Sequence, residues 1–155
     1  MQTKINAETQ SRGDDRAPEN LLSEQILDAA IEVHNTLGGP GLLESVYEEA
    51  LFYELKLRHI SALSQVPIPV TYKNRKLRDP MRLDILVDQK VIIEVKAIET
   101  VLAVHKAQVL TYLRLTNLRL GLIINFGQTR LIDGWTRIVN GLPSSPRLSD
   151  SASPR

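Results

Sequence analysis

Two aliphatic segments, MRLDILV (Met81 to Val87) and VIIEVK (Val91 to Lys96), constrain this 155-residue chain more than any other feature. Each is apolar enough for a central strand, and so short a separation reads as a hairpin. Yet Asp84 interrupts the first, and Glu94 and Lys96 interrupt the second. Side chains alternate along a strand, so Glu94 and Lys96 share a face with Ile92, while Val91, Ile93 and Val95 share the other. Carboxylates in such surroundings are costly to bury unless paired or bound to a metal. For Asp84 and Glu94 to meet on one face, Val87 must pair with Val91 across a three-residue loop, Asp88-Gln89-Lys90. A two-residue turn at Asp88-Gln89 would send them to opposite faces.

The plain alternative is structural: an Asp84–Lys96 ion pair, with Glu94 as an edge charge that discourages aggregation. Three charges on two adjacent aliphatic strands point further. Two carboxylates bind a hard divalent cation through oxygen, and Mg²⁺ keeps several of its own waters. A lysine two residues from one carboxylate can orient or deprotonate such a water for attack on phosphorus. The expected chemistry is metal-assisted phosphodiester hydrolysis, in which the metal polarises the phosphoryl oxygen and generates the nucleophile.

The rest of the chain supplies helices to cover these strands. Ile26, Ala29, Ala30, Val33 and Leu37 recur at helical spacing, so Leu21 to Leu37 is predicted as a helix ended by Gly38-Gly39-Pro40-Gly41. A second helix is predicted from about Leu42 to His59, with Val46, Tyr47, Ala50, Leu51 and Leu55 on its apolar side. Val66 to Tyr72 reads as an edge strand because it contains two prolines. Val104 to Thr116 returns to helical spacing through Val104, Ala107, Leu110 and Leu113. Leu120 to Phe126 is a buried-strand run, and Arg130 to Val139 is a last strand or hairpin broken at Asp133-Gly134. The order α-α-β-β-β-α-β-β gives an α/β or α+β sandwich with a mixed sheet. Residues 1–19 and the Ser/Pro-rich segment 142–155 are expected to be flexible or disordered tails, since neither can bury enough apolar surface to offset the entropy of ordering. The folded unit is 20–141.

Zero cysteines exclude a disulfide framework, a thiolate zinc site and a cysteine nucleophile. No leader-like apolar stretch stands at Met1 to Arg16 and no run reaches the roughly 20 apolar residues of a membrane span, so a cytoplasmic protein without membrane contact is expected.

Asp84 and Glu94-Val95-Lys96 together resemble the PD-(D/E)XK nuclease superfamily. Gln108 and Tyr112, four apart on the next helix, are similar to the Gln-xxx-Tyr signature of RecB-like nucleases. Gly41-Leu42-Leu43-Glu44-Ser45-Val46-Tyr47 resembles the motif that names the GxxExxY family, a bacterial branch of that superfamily. The resemblance runs from about Ile26 through Val139, and implies an α/β fold with a restriction-endonuclease-like core, α-β-β-β-α-β, in which helices flank a mixed central sheet. It implies that Asp84, Glu94 and the backbone carbonyl of Val95 ligate Mg²⁺ or Mn²⁺, and that Lys96 is the general base or water-orienting group. Glu44 would reach the site from its helix, and Gln108 and Tyr112 would position Lys96 or a phosphate. The superfamily's Pro is replaced here, since Leu83 precedes Asp84. Each helper also has a plainer reading. Glu44 in a first helical turn suits the helix dipole, Tyr47 lies on the apolar side, and Gln108 with Tyr112 could be a surface pair. His34 and His105 stay unassigned.

Net charge is +1, but it is unevenly placed. Residues 21–64 hold seven acids and two bases, whereas 65–141 hold six acids and twelve bases. Lys73, Arg75, Lys76, Arg78 and Arg82 all fall in the ten-residue stretch 73–82 ahead of Asp84. A hairpin there would set them beside the metal site as sequence-independent phosphate contacts. No base-reading helix or aromatic platform is evident at 5% aromatic content. The expected function is therefore an Mg-dependent nuclease, with DNA as the favoured substrate and little sequence specificity. A non-catalytic nucleic-acid-binding or regulatory module that kept the fold is the alternative, and a homodimer stays open.

Overall fold

The structure is a computed structural model that describes residues 17–141. The expected tails lie outside these residues, apart from 17–19. Helical periodicity in the first third becomes α1 (Pro18–Thr36) and α2 (Glu44–Leu57). Proline is suited to a first helical turn, where its missing N–H would have no partner, and Pro18 occupies that place in α1. Then come β1 (Ala62–Ile68), the small hairpin β2 (Thr71–Tyr72) and β3 (Arg75–Lys76), β4 (Met81–Val87) and β5 (Val91–Lys96). Helix α3 (Ala103–Thr116), β6 (Leu120–Asn125), a 3₁₀ turn at Leu131–Gly134 and β7 (Trp135–Val139) complete the order. The predicted strand Val66 to Tyr72 is split: β1 ends at Ile68 and the chain resumes as β2.

The main sheet runs β1-β4-β5-β6-β7, with β5 and β6 parallel across α3 and every other pair antiparallel. This is the mixed sheet of a restriction-endonuclease-like α/β fold. Pro67 lies on β1, which is an edge strand, where a residue without an N–H is tolerated.

One face of the sheet is covered by α1 and α2. Ile26, Ala29, Ala30 and Val33 from α1, with Tyr47, Leu51 and Leu55 from α2, pack on Ile85, Val87, Val91, Ile93, Val95 and Leu122. The other face lies under α3, through Val109, Tyr112 and Leu113 against Leu86, Ile92 and Ile123. Two helical faces differ from expectation. Val46 is exposed, and on α3 Val104 and Ala107 are exposed while Val109 and Tyr112 are buried. With small or β-branched residues on several sides, the aliphatic period of α3 was ambiguous, and contact with β6 decides it. Among the described residues, no helix is long and apolar enough to cross a membrane.

Candidate active site

The β4–β5 hairpin closes through Asp88-Gln89-Lys90, with Val87 opposite Val91 and Ile85 opposite Ile93. This is the register that two meeting carboxylates require. Asp88 and Gln89 both take left-handed backbone angles, φ 50° and 57°, to make the turn. The regular ladder ends at Ile85–Ile93. One residue further, the Asp84 carboxylate (Oδ2) accepts the Val95 N–H at 2.9 Å, in the place of a strand partner.

β4 turns over at this point. Ile85 and Val87 pack beneath α1 and α2, whereas Leu83 packs with Leu86 in the α3 layer. Leu83 and Ile85 would share a face in a regular strand. β1 turns over at the same level, because Ala62 packs in the first layer and Val66 and Ile68 in the second. Between them Gln65 has φ 54°, an unfavourable angle for a residue with a Cβ. Pairing is in one register on both sides, Ser64 with Ile85 and Val66 with Leu83, so Gln65 stands opposite Asp84.

On β5, Glu94 is only 6% exposed and its Oε2 lies 3.3 Å from Lys96 Nζ. Its other oxygen, Oε1, is buried and has no hydrogen-bond partner among the described residues. Burial, with the Asp84 charge adding to it and Lys96 opposing, pushes the Glu94 carboxyl up to about 7. Burial also raises Asp84, against the Val95 N–H, Lys96 and Gln65, which hold it down. Val95 itself sends its side chain into the α1–α2 layer, and its N–H is held by Asp84.

The end of β5 is pinned from β6. Asn125, buried, accepts the N–H groups of Ile98 and Gly127 at its Oδ1 and donates from Nδ2 to the Ile98 carbonyl. Phe126 donates its N–H to the Lys96 carbonyl at 2.8 Å. Only glycine fits at 127, since a Cβ there would lie 2.2 Å from the Ile98 oxygen.

Helix α2 brings its acids from the opposite layer. Gly41 has φ 120°, open to glycine but strained for any other residue, and Glu44 follows as the first helical residue. The fully buried Tyr47 donates its hydroxyl to the Gly39 carbonyl at 2.7 Å and accepts the Leu42 N–H at 3.2 Å, so it ties down the loop ahead of Glu44. Its ring stacks on Phe126 at 4.6 Å. Burial raises the Glu44 carboxyl; Lys96 and His105 oppose this, and Asp84 adds to it.

Two members of the site were not singled out from sequence. Glu48, one turn after Glu44, is also raised by burial and by its acidic neighbours Asp84 and Glu44. The Gln65 side-chain amide donates to Glu48 and also bonds Asp84, joining α2 to β4. The four-residue step from Glu44 to Glu48 was a usable signal. Nothing local marks Gln65, whose left-handed angle is a tertiary effect.

From α3, Tyr112 is buried and its hydroxyl is raised by burial and by the charges of Glu94 and Asp84, with a Gln108 hydrogen bond opposing. Gln108 and Tyr112 are thus an interacting pair facing the carboxylates. The basic residues divide. Arg82 donates to the Gln65 carbonyl at 3.1 Å and so joins the site's rim. Lys73, Arg75, Lys76 and Arg78 are exposed on and after the β2–β3 hairpin, and among the described residues no hydrogen bond or ion pair links them to the carboxylates.

Among the described residues no three His, Cys, Asp or Glu side chains converge closely enough to hold a metal alone. Mg²⁺ does not require three, because one or two carboxylates and its own waters suffice. Asp84 and Glu94 fit that requirement, and the Glu94 Oε1 is an oxygen for which the described residues supply no donor. A family model described as the PD-(D/E)XK nuclease superfamily matches residues 20–138. A search of curated proteins and one of solved structures each returned no match.

Proposed function

Because the chain belongs to the PD-(D/E)XK nuclease superfamily, we propose that it is a divalent-cation-dependent nuclease of the GxxExxY branch, hydrolysing phosphodiester bonds of DNA with little sequence preference. The observation that carries this reading is the break in the β4–β5 ladder. There a buried carboxylate with a partnerless oxygen stands beside a second acid and a lysine. Such a cluster costs stability, and a structural ion pair would not leave Oε1 unused.

Asp84 and Glu94, with the Val95 carbonyl between Glu94 and Lys96, would hold Mg²⁺ or Mn²⁺. When bound, the ion would polarise the phosphoryl oxygen and acidify the attacking water. Lys96 Nζ, held by Glu94 Oε2, orients that water at the strand end. Asp84 is kept in place by the Val95 N–H and by Gln65, and is therefore presented without rotamer search. Glu44 contributes a further acid from α2. Gln108 and Tyr112 line the α3 side and contact the strand being cut. Lys73, Arg75, Lys76, Arg78 and Arg82 supply phosphate contacts blind to sequence, which favours recognition of structure or ends.

The test is incubation of single-stranded, duplex and branched DNA, and of RNA, with Mg²⁺ or Mn²⁺, comparing wild type with Lys96→Ala. Wild type is expected to cut DNA, and the variant to be slower by roughly 10²–10⁴-fold, the usual contribution of a positioned proton-handling group. Equal rates for the two proteins would point to a contaminant and remove the proposal.

A further inference from the structure

Between β1 and β4 the chain leaves the main sheet for a segment, residues 71–80, in which every residue is exposed. β2 and β3 form a sheet of their own, Thr71 opposite Lys76 and Tyr72 opposite Arg75, and no residue of the segment belongs to either apolar layer. A lone two-stranded hairpin is marginal in water, so this one depends on its turn. Lys73 and Asn74 both take left-handed angles, φ 51° and 67°, as the two-residue turn that matches strand twist requires. The Leu77 N–H donates to the Val70 carbonyl at 2.8 Å and extends the ladder. Left-handed backbone at a lysine costs stability, and no core packing at the hairpin offsets it.

The hairpin stands at the active-site end of the sheet. β1 and β4 are paired as far as Ile68 and Met81, and the hairpin joins those two ends. Asp84 is three residues in from Met81, about 10 Å along the strand at about 3.3 Å per residue. The segment carries four bases, Lys73, Arg75, Lys76 and Arg78, and one acid, Asp79. Among the described residues none of the four bases has an ion pair. Tyr72 is 61% exposed, so its ring is not a packing element. Lys73 Nζ lies 5.4 Å from the centre of that ring, and among the described residues no other ring stacks on it. Arg75, the cross-strand partner of Tyr72, stands on the same face of the hairpin, its Cβ about 5 Å away. An aromatic ring is thus set between two cations that have no anion on the protein. Phosphates alone need only the cations. The ring adds a surface for an uncovered nucleobase, which single strands offer and a closed duplex does not.

We propose that the β2–β3 hairpin is a single-strand-binding arm, in which Tyr72 stacks on an unpaired base of a nucleic acid while Lys73 and Arg75 take the phosphates beside it. The arm rests on the nuclease reading above for its consequence: a strand held there leads on to Asp84, and single-stranded or frayed DNA is cut in preference to closed duplex. Low aromatic content gave no sign of this, since one ring placed between two cations is enough.

The test uses the full chain carrying Lys96→Ala, in Mg²⁺, so that a fluorescent mixed-sequence oligonucleotide binds without rapid cutting. Anisotropy compares this parent with variants on single-stranded and on closed duplex DNA. Tyr72→Ala is expected to weaken single-strand binding roughly 5- to 150-fold, the range for one base–aromatic stack, and to leave duplex binding within about twofold. Tyr72→Phe keeps the ring and is expected to bind as the parent does, which separates loss of stacking from loss of fold. Lys73→Ala with Arg75→Ala is expected to weaken both DNA forms and to flatten the salt dependence. Unchanged single-strand binding in Tyr72→Ala, an equal loss on both DNA forms, or a parent that binds no single strand would overturn the arm and leave the nuclease reading standing. Single-strand binding that depends on Tyr72, in a protein whose wild type cuts no DNA in Mg²⁺ or Mn²⁺, would keep the arm and remove the nuclease reading.

Discussion

The β4–β5 hairpin contains two regions made from the same pair of strands that follow opposite rules. Toward its loop, Ile85, Leu86 and Val87 face Ile93, Ile92 and Val91 in unbroken register, with alternate side chains buried in two apolar layers. One residue beyond Ile85 the ladder has stopped, β4 turns over, Asp84 caps the Val95 N–H, and Glu94 is buried with one oxygen that has no partner among the described residues. The regular half gives stability, and burying each of its aliphatic side chains is worth about 1.5–3 kcal/mol. The irregular half spends some of it to hold charges that a fold alone would not need. A site of this kind stays rigid because it grows directly out of a regular ladder.

If the two halves have separate duties, substitutions should separate activity from stability. The largest expected effect is at Asp84→Asn. The amide oxygen can still accept the Val95 N–H, so the fold should melt within a few degrees of wild type, while cleavage falls by roughly a thousandfold or more through the lost charge at the cation. A large loss of melting temperature alongside lost activity would show instead that Asp84 is chiefly structural. Next in size is Ile93→Ala in the regular half. Truncating this fully buried side chain should cost roughly 2–5 kcal/mol in denaturant unfolding, while kcat per folded molecule changes little. A kcat loss as large as that of Asp84→Asn would erase the distinction between the halves.

A smaller effect comes from pH. Glu94 is raised in the folded protein from 4.5 to about 7, so between those values the native state holds a proton that the unfolded chain has lost. Its contribution to stability is complete below about pH 4.5 and is lost as pH rises through 7. In chelator, wild type should lose up to about 3 kcal/mol between pH 5 and 8 relative to Glu94→Gln, a bound set by the size of the shift. Added Mg²⁺ should restore more stability at pH 8 than at pH 6, because the cation takes the ionised carboxylate. Parallel pH profiles for wild type and Glu94→Gln would show that Glu94 is not held in a costly state.

The two halves were also unequally legible in the sequence. The aliphatic runs and the strand limits of β5 could be read, because strand periodicity is a local property; two hairpin registers stayed open, and the structure takes the one across Asp88-Gln89-Lys90 that the meeting of Asp84 and Glu94 requires. Asp84, Glu94 and Lys96 stood out for breaking that pattern. What could not be read depends on packing between distant segments. Gln65 adopts its left-handed angle because β1 turns over with β4, and its side chain matters because α2 brings Glu48 against it. The buried face of α3 was misread since Val104 and Ala107 fit a helical period as well as Val109 and Tyr112 do.

Tyr47 gives the smallest expected effect and tests how the two layers are joined. Its ring stacks on Phe126, and the Phe126 N–H holds the Lys96 carbonyl, so one short path of contacts links α2 to the end of β5. Its hydroxyl holds Gly39 and Leu42, the residues that lead the chain into Glu44. Tyr47→Phe keeps the stack and removes both hydrogen bonds. It should cost about 1 kcal/mol in unfolding, yet lower kcat severalfold in saturating Mg²⁺, because Glu44 loses the restraint on its approach while Asp84, Glu94 and Lys96 keep theirs. Tyr47→Leu, which also loses the stack, should then disturb Lys96 as well and lower kcat further. Wild-type kcat in Tyr47→Phe, accompanied only by the lower melting point, would mean that this tyrosine serves the core alone and that Glu44 is placed by its helix without help from the loop.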